Sequence, residues 1–126
     1  MVYLQRIKAR PSPEDLTPGE ARFVQHSFDP YAGEVLVGGQ AVAWNAIEEV
    51  EVAVSARAAG PAGWLVRHIV HGNERYHVGL YFGQNEAIVP NVTLNVARYI
   101  VQCVAFFAPL PVRYTGPDGL SPVMNE

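Results

Sequence analysis

Residues 91–108 read NVTLNVARYIVQCVAFFA, with Pro90 before them and Pro109 after, and the fold turns on how this stretch is covered. Pro90 lacks a backbone N–H and pushes Val89 toward extended geometry. Asn91 then suits an N-cap, and Pro109 ends the helix at Ala108. On a wheel of about 100° per residue, Asn95, Arg98 and Gln102 share one narrow arc. One flank carries Val92, Val96, Ile100, Cys103 and Phe107, and the opposite flank carries Leu94, Ala97, Val101, Ala105 and Ala108. A helix lying on one sheet shows a single apolar stripe; this one calls for two covers. The strands before it supply the first. The second is either the chain's own ends or another copy of the chain. The small residues favour a close subunit contact, so Leu94, Ala97, Val101 and Ala105 are the expected interface. Asn95, Arg98 and Gln102 in so short a run speak against a membrane span.

The remaining chain reads as short strands and turns. Residues 1–21 form an N-terminal arm interrupted by Pro11, Pro13 and Pro18, with a short strand at Val2–Ile7. Arg22–Phe28 is the first core strand expected, with Val24, His26 and Phe28 on one face. Glu34–Val37 and Gln40–Trp44 make a hairpin about Gly38-Gly39, a pair that tolerates positive φ. In Ile47–Arg57, Val50, Val52 and Val54 alternate with Glu49, Glu51 and Ala53, the period of a half-buried strand. Glu48, Glu49 and Glu51 read as a solvated face. Trp64–His71 and Glu74–Phe82 suggest a second hairpin about Gly72-Asn73. Glu86–Val89 is a last strand before the helix, and residues 109–126 form an extended, turn-rich tail. The count is about seven antiparallel strands and one C-terminal helix, a mainly β chain, either a β-barrel or α+β.

That order resembles the bacterial pleckstrin-homology-like (PH-like) domain. The resemblance lies in VAWNAIEEVEV, Val42–Val52, where a strand ends in Trp44, breaks, and resumes at Ile47 with Val50 and Val52 alternating. It implies a seven-stranded barrel over residues 22–108, closed by the helix. Two departures matter. The helix has no Trp, and the loop where phosphoinositide-binding members carry Lys and Arg is here DPYAGE. The resemblance therefore does not extend to phosphoinositide or membrane binding.

The chemistry is sparse. A chain of 126 residues suits one domain, and net charge −3 without a basic cluster argues against nucleic acid. Cys103 is the sole cysteine, which excludes an internal disulfide and reads as a small buried hydrophobe. The opening MVYLQRIKAR has no long apolar core, so a cytoplasmic protein is expected. If Gly72-Asn73 is a two-residue turn, His68 stands opposite His77 with Tyr81 on the same face. Such a pair could touch a small ligand, but it falls short of a zinc site, and no cofactor or metal is expected. No glycine-flanked nucleophile, oriented His or phosphate loop appears. The expectation is a non-catalytic domain that self-associates or binds a protein partner. The alternative is a small-molecule or metal-binding protein using His68 and His77.

Overall fold

The computed structural model describes residues 2–31, 33–54 and 75–125. In chain order these form β1 (Val2–Leu4), α1 (Pro18–Ser27), β2 (Phe28–Pro30), β3 (Glu34–Val37), β4 (Gln40–Ala43), β5 (Glu49–Val54), β6 (Tyr76–Phe82), β7 (Asn85–Val92), α2 (Leu94–Phe107), β8 (Arg113–Thr115) and β9 (Val123–Asn125). Short 3-10 turns occur at Pro13–Asp15 and Trp44–Ala46. The fold is α+β, with a six-stranded mixed sheet, a three-stranded sheet and two helices among the described residues.

The strand expected at Arg22–Phe28 is a helix. Thr17-Pro18-Gly19-Glu20 explains why. The Thr17 hydroxyl accepts from Glu20 N–H at 3.2 Å, and Glu20 Oε1 accepts from Thr17 N–H at 2.9 Å. This is a capping box with proline in the first turn, where its missing N–H costs nothing. Alternation of Val24, His26 and Phe28 misled because Val24 alone in α1 is buried, while Phe28 lies just past the helix end in β2.

The hairpin of β3 and β4 forms as its glycines require, with Gly38 at φ +57° and Gly39 at φ +86°. β2 pairs with β3, completing the small sheet. The larger sheet runs β7-β6-β5-β8-β1-β9. Its strands are antiparallel except where β5 and β8 run parallel, Val50 against Tyr114. The single antiparallel seven-stranded barrel expected from the sequence is thus replaced by two sheets, with no closed barrel among the described residues. Within the residues read as an arm and a tail, β1, β8 and β9 join the larger sheet.

β7 is longer than its sequence suggests. Val89 pairs with Val78 and Val92 with Tyr76, so three steps on β7 match two on β6. Pro90 and Asn91 take up the extra residue as a bulge, and Asn91 sits at φ +57°. A bulge on an edge strand is where proline and a left-handed Asn are tolerated. The helix consequently starts at Leu94, and its N-cap is Thr93 rather than Asn91. The Thr93 hydroxyl accepts from Val96 N–H at 3.2 Å and donates to the Glu20 carboxylate. One carboxylate therefore serves the first turns of both helices, where the positive ends of their dipoles favour it.

α2 packs against β6 of the large sheet, while its other flank meets the small sheet. Tyr99 makes an edge contact with Phe28, and Phe107 stacks on Trp44 at 4.9 Å and 9°. The Trp44 indole N–H donates to the Tyr31 carbonyl at 2.6 Å, so this large buried ring leaves no polar atom unpaired. Replacing such an aromatic by alanine costs about 3–5 kcal/mol. The chain's ends finish the enclosure. Ile7 N–H donates to the Ala105 carbonyl at 3.4 Å, and the Gln102 amide donates to the Leu120 carbonyl at 3.1 Å.

Burial opposes ionisation of Glu20, but the hydrogen bonds from Thr93 and Thr17 outweigh it and hold the carboxyl below its usual value of 4.5. The unfolded chain then binds the proton more readily, and acid favours unfolding. The melting temperature should fall as pH drops from about 4.5 through the lowered folded-state pKa. In Glu20→Gln, calorimetry should show that part of the pH dependence removed.

Candidate functional site

The helix face expected to meet a second subunit is covered within the chain. Ala97 and Val101 are fully buried, Ala105 nearly so, and Leu94 retains 37% of its surface. These residues therefore leave little surface for another copy. The second cover that the helix calls for comes from the same chain.

Of the expected histidine site, His77 and Tyr81 are among the described residues. His68 lies outside the described residues. His77 lies opposite Ala53 of β5, because β6 has β5 on one edge and β7 on the other. Its Nδ1 accepts from Asn91 N–H at 3.1 Å, which ties the ring to the β7 bulge. Tyr81 donates to Glu51 Oε1 at 2.9 Å, and this bond raises its phenol above the ordinary value. To reach Glu51 the ring lies over Gly79; a Cβ there would stand 3.1 Å from the Tyr81 oxygen. Tyr81 is a cross-strand strut, and no group of three His, Cys, Asp or Glu among the described residues is placed to hold a metal.

The acidic run is also bound into the structure. Glu48 Oε1 accepts from Gly83 N–H at 2.8 Å, and Glu49 receives Arg113 at 3.4 Å and the Thr115 hydroxyl at 3.3 Å. Cys103 is buried against Tyr99, and burial pushes its thiol up to about 12, so at neutral pH it is an inert thiol.

The candidate site is a cleft that sequence patterning did not show. The last turn of α2 supplies a floor of Val104, Ala105 and Ala108. Pro109-Leu110-Pro111-Val112 forms one wall, Tyr3 and Leu4 of β1 another, and Met124 and Asn125 of β9 the third. The volume is about 480 Å³, within the usual range for ligand pockets, roughly 300–1,000 Å³. The two alanines make the floor low. The two prolines have fixed φ and no N–H, so the segment between helix and strand joins neither, and Leu110 stands out with 57% of its surface exposed. Met124 faces the opening at 51%. Arg6, on the segment leaving β1, is the one charged residue of the described lining. It forms no ion pair among the described residues.

Exposed apolar side chains beside an apolar hollow make this cleft the candidate site, since such patches often serve in recognition. The described lining offers carbon, one phenol, one carboxamide and one guanidinium, which suits holding a ligand more than proton transfer. No family model, curated protein or solved structure matches the chain. No helix among the described residues is long and apolar enough to cross a membrane.

Two substitutions on α2 separate internal from external faces. Val101→Arg places a charge where no water or counter-charge is available, an effect of several kcal/mol. It should abolish the cooperative thermal transition seen by circular dichroism. Leu94→Arg should melt within about 3 °C of the parent, as exposed substitutions do. A soluble, cooperatively folding Val101→Arg protein would contradict this packing.

Proposed function

We propose that the protein is a non-catalytic binding domain that takes up an apolar part of a partner protein in the cleft between the end of α2 and strands β1 and β9. The observation that carries this reading is the pairing of a low apolar floor with two exposed anchors, Leu110 and Met124, at its rim. A large thioether beside a hollow suits adaptable contacts, because methionine repacks without a fixed shape. A partner protein or a second copy of the chain can present the complementary group, and the assembly state distinguishes them.

The family reading belongs with this proposal. Two runs of three antiparallel strands, β2-β3-β4 and β5-β6-β7, are followed by a helix, six of the seven strands that a pleckstrin-homology-like domain would place before its helix. Trp44 and Ile47, two of the residues that carry the resemblance, are both buried on either side of the break. Those two features support the relationship.

The test uses 1-anilinonaphthalene-8-sulfonate as an apolar probe on the native protein. Saturable fluorescence enhancement is expected, weakened at least about tenfold, or 1.4 kcal/mol, by Leu110→Glu combined with Met124→Glu. The melting temperature should change by no more than about 3 °C, since both side chains are exposed. Undiminished binding in the double variant, or none in the parent, would remove the cleft as the binding surface. Sedimentation velocity across a concentration series then reports whether a second copy is the occupant.

A further inference from the structure

The two edges of the six-stranded sheet differ. β7 carries Pro90, the Asn91 bulge and the exposed charge of Glu86, all features that discourage pairing with another strand. β9 carries none of these within its three residues, Val123, Met124 and Asn125. It is the other edge among the described residues. Gln5 N–H donates to the Pro122 carbonyl at 2.9 Å. Backbone groups alternate in direction along a strand, so residues 122 and 124 face β1 while Val123 and Asn125 turn theirs outward. Of β9, Met124 and Asn125 line the cleft, and so does Arg6.

We infer that the occupant is an extended segment of a partner protein that adds to the sheet as a strand along β9, sets an apolar side chain between Leu110 and Met124, and pairs a carboxylate with Arg6. This rests on the binding reading above and names the chemistry of its partner. Three features select such a segment over a rigid globular surface or a basic peptide. The outward amide and carbonyl groups of β9 match an extended backbone and give sequence-independent affinity, while a neighbouring pocket supplies specificity. The cleft is open to solvent, as a passing chain needs. Arg6 and Lys8 stand exposed on the segment leaving β1, and no acid precedes Glu14 in the sequence. That local positive charge, on a chain of net charge −3, complements an acidic partner. Charge of this kind chiefly sets selectivity and on-rate.

The test is fluorescence anisotropy with a fluorescein-labelled octapeptide, Gly-Ser-Leu-Glu-Val-Glu-Ser-Gly. Three counterparts accompany it: Lys in place of Glu, Ser in place of Leu and Val, and a version N-methylated at Leu and Val. The acidic apolar peptide should bind saturably and at least about tenfold tighter than each counterpart, a difference of 1.4 kcal/mol. The margin over the lysine peptide should shrink as salt rises. Arg6→Gln should erase that margin and Arg6→Glu should reverse it; Arg6 is exposed and forms no ion pair among the described residues, so neither variant threatens the fold. Equal binding of the acidic and basic peptides would overturn the role of Arg6. Unchanged binding of the N-methylated peptide would overturn strand addition. If dodecanoate binds with the same Arg6 dependence and no peptide does, the occupant is a small amphiphile, and this inference falls while the cleft stands. If neither peptide nor dye binds, both readings fall together.

Discussion

Everything in this structure is arranged around the width of the apolar arc on α2. From Tyr99 round to Ala105 that arc covers about 240°, and only Asn95, Arg98, Gln102 and Phe106 lie in the remaining sector. No single sheet can cover so wide a face, and leaving half of it in water would forfeit much of the burial that holds the chain folded. The six-stranded sheet meets one flank through β6. The aromatic group of Phe28 and Trp44 meets the other through Tyr99 and Phe107. The polar sector is used as well, since Gln102 fastens the Leu120 carbonyl and thereby the run of chain leading to β9.

What could be read from the sequence divides by range. The β3–β4 hairpin, the alternating strand β5 and the end of α2 at Ala108 all follow from neighbours in sequence: Gly38-Gly39, the valines of β5 and Pro109. So does the two-sided helix. The strands β1, β8 and β9 have three residues each, too few to show a period, and β1 pairs with partners more than a hundred residues away. Their pairing is a property of closure rather than of local pattern. α1 is a different case, because its signal was present. Thr17, Pro18 and Glu20 spell a helix start, but three nearby prolines and the alternation from Val24 to Phe28 made an arm and a strand the more obvious reading. At Asn91 the cap went to Thr93 because the β7 bulge consumed Pro90 and Asn91, and a bulge depends on the partner strand.

The Glu20 carboxylate shows how that long-range closure is held. It accepts from Thr17 at the start of α1 and from Thr93 at the start of α2, residues far apart in sequence. Asn95 contributes to the same site from the first turn of α2. A short polar network therefore fixes the angle at which α1 enters relative to α2. Each helix start brings N–H donors that would otherwise need water, so the carboxylate serves both ends at once.

The cleft follows from the same closure and shows why the small residues of α2 carried two readings. Small side chains on α2 signal that something comes close, and the face of Leu94, Ala97, Val101 and Ala105 suggested a neighbouring subunit. Ala97 proves to be internal packing. Ala105 receives the backbone of Ile7 and, with Ala108, lies beneath the hollow bounded by β1, β9 and the Pro109–Pro111 wall. Close approach of the chain's own backbone and a hollow for a foreign side chain require the same thing of a helix, the absence of bulk at one turn. Only the non-local return of β1 and β9 decides between them, and it makes both true within four residues. The cleft thus lies where the two ends of the chain meet the end of the helix, and a sequence read in local windows does not bring those three segments together.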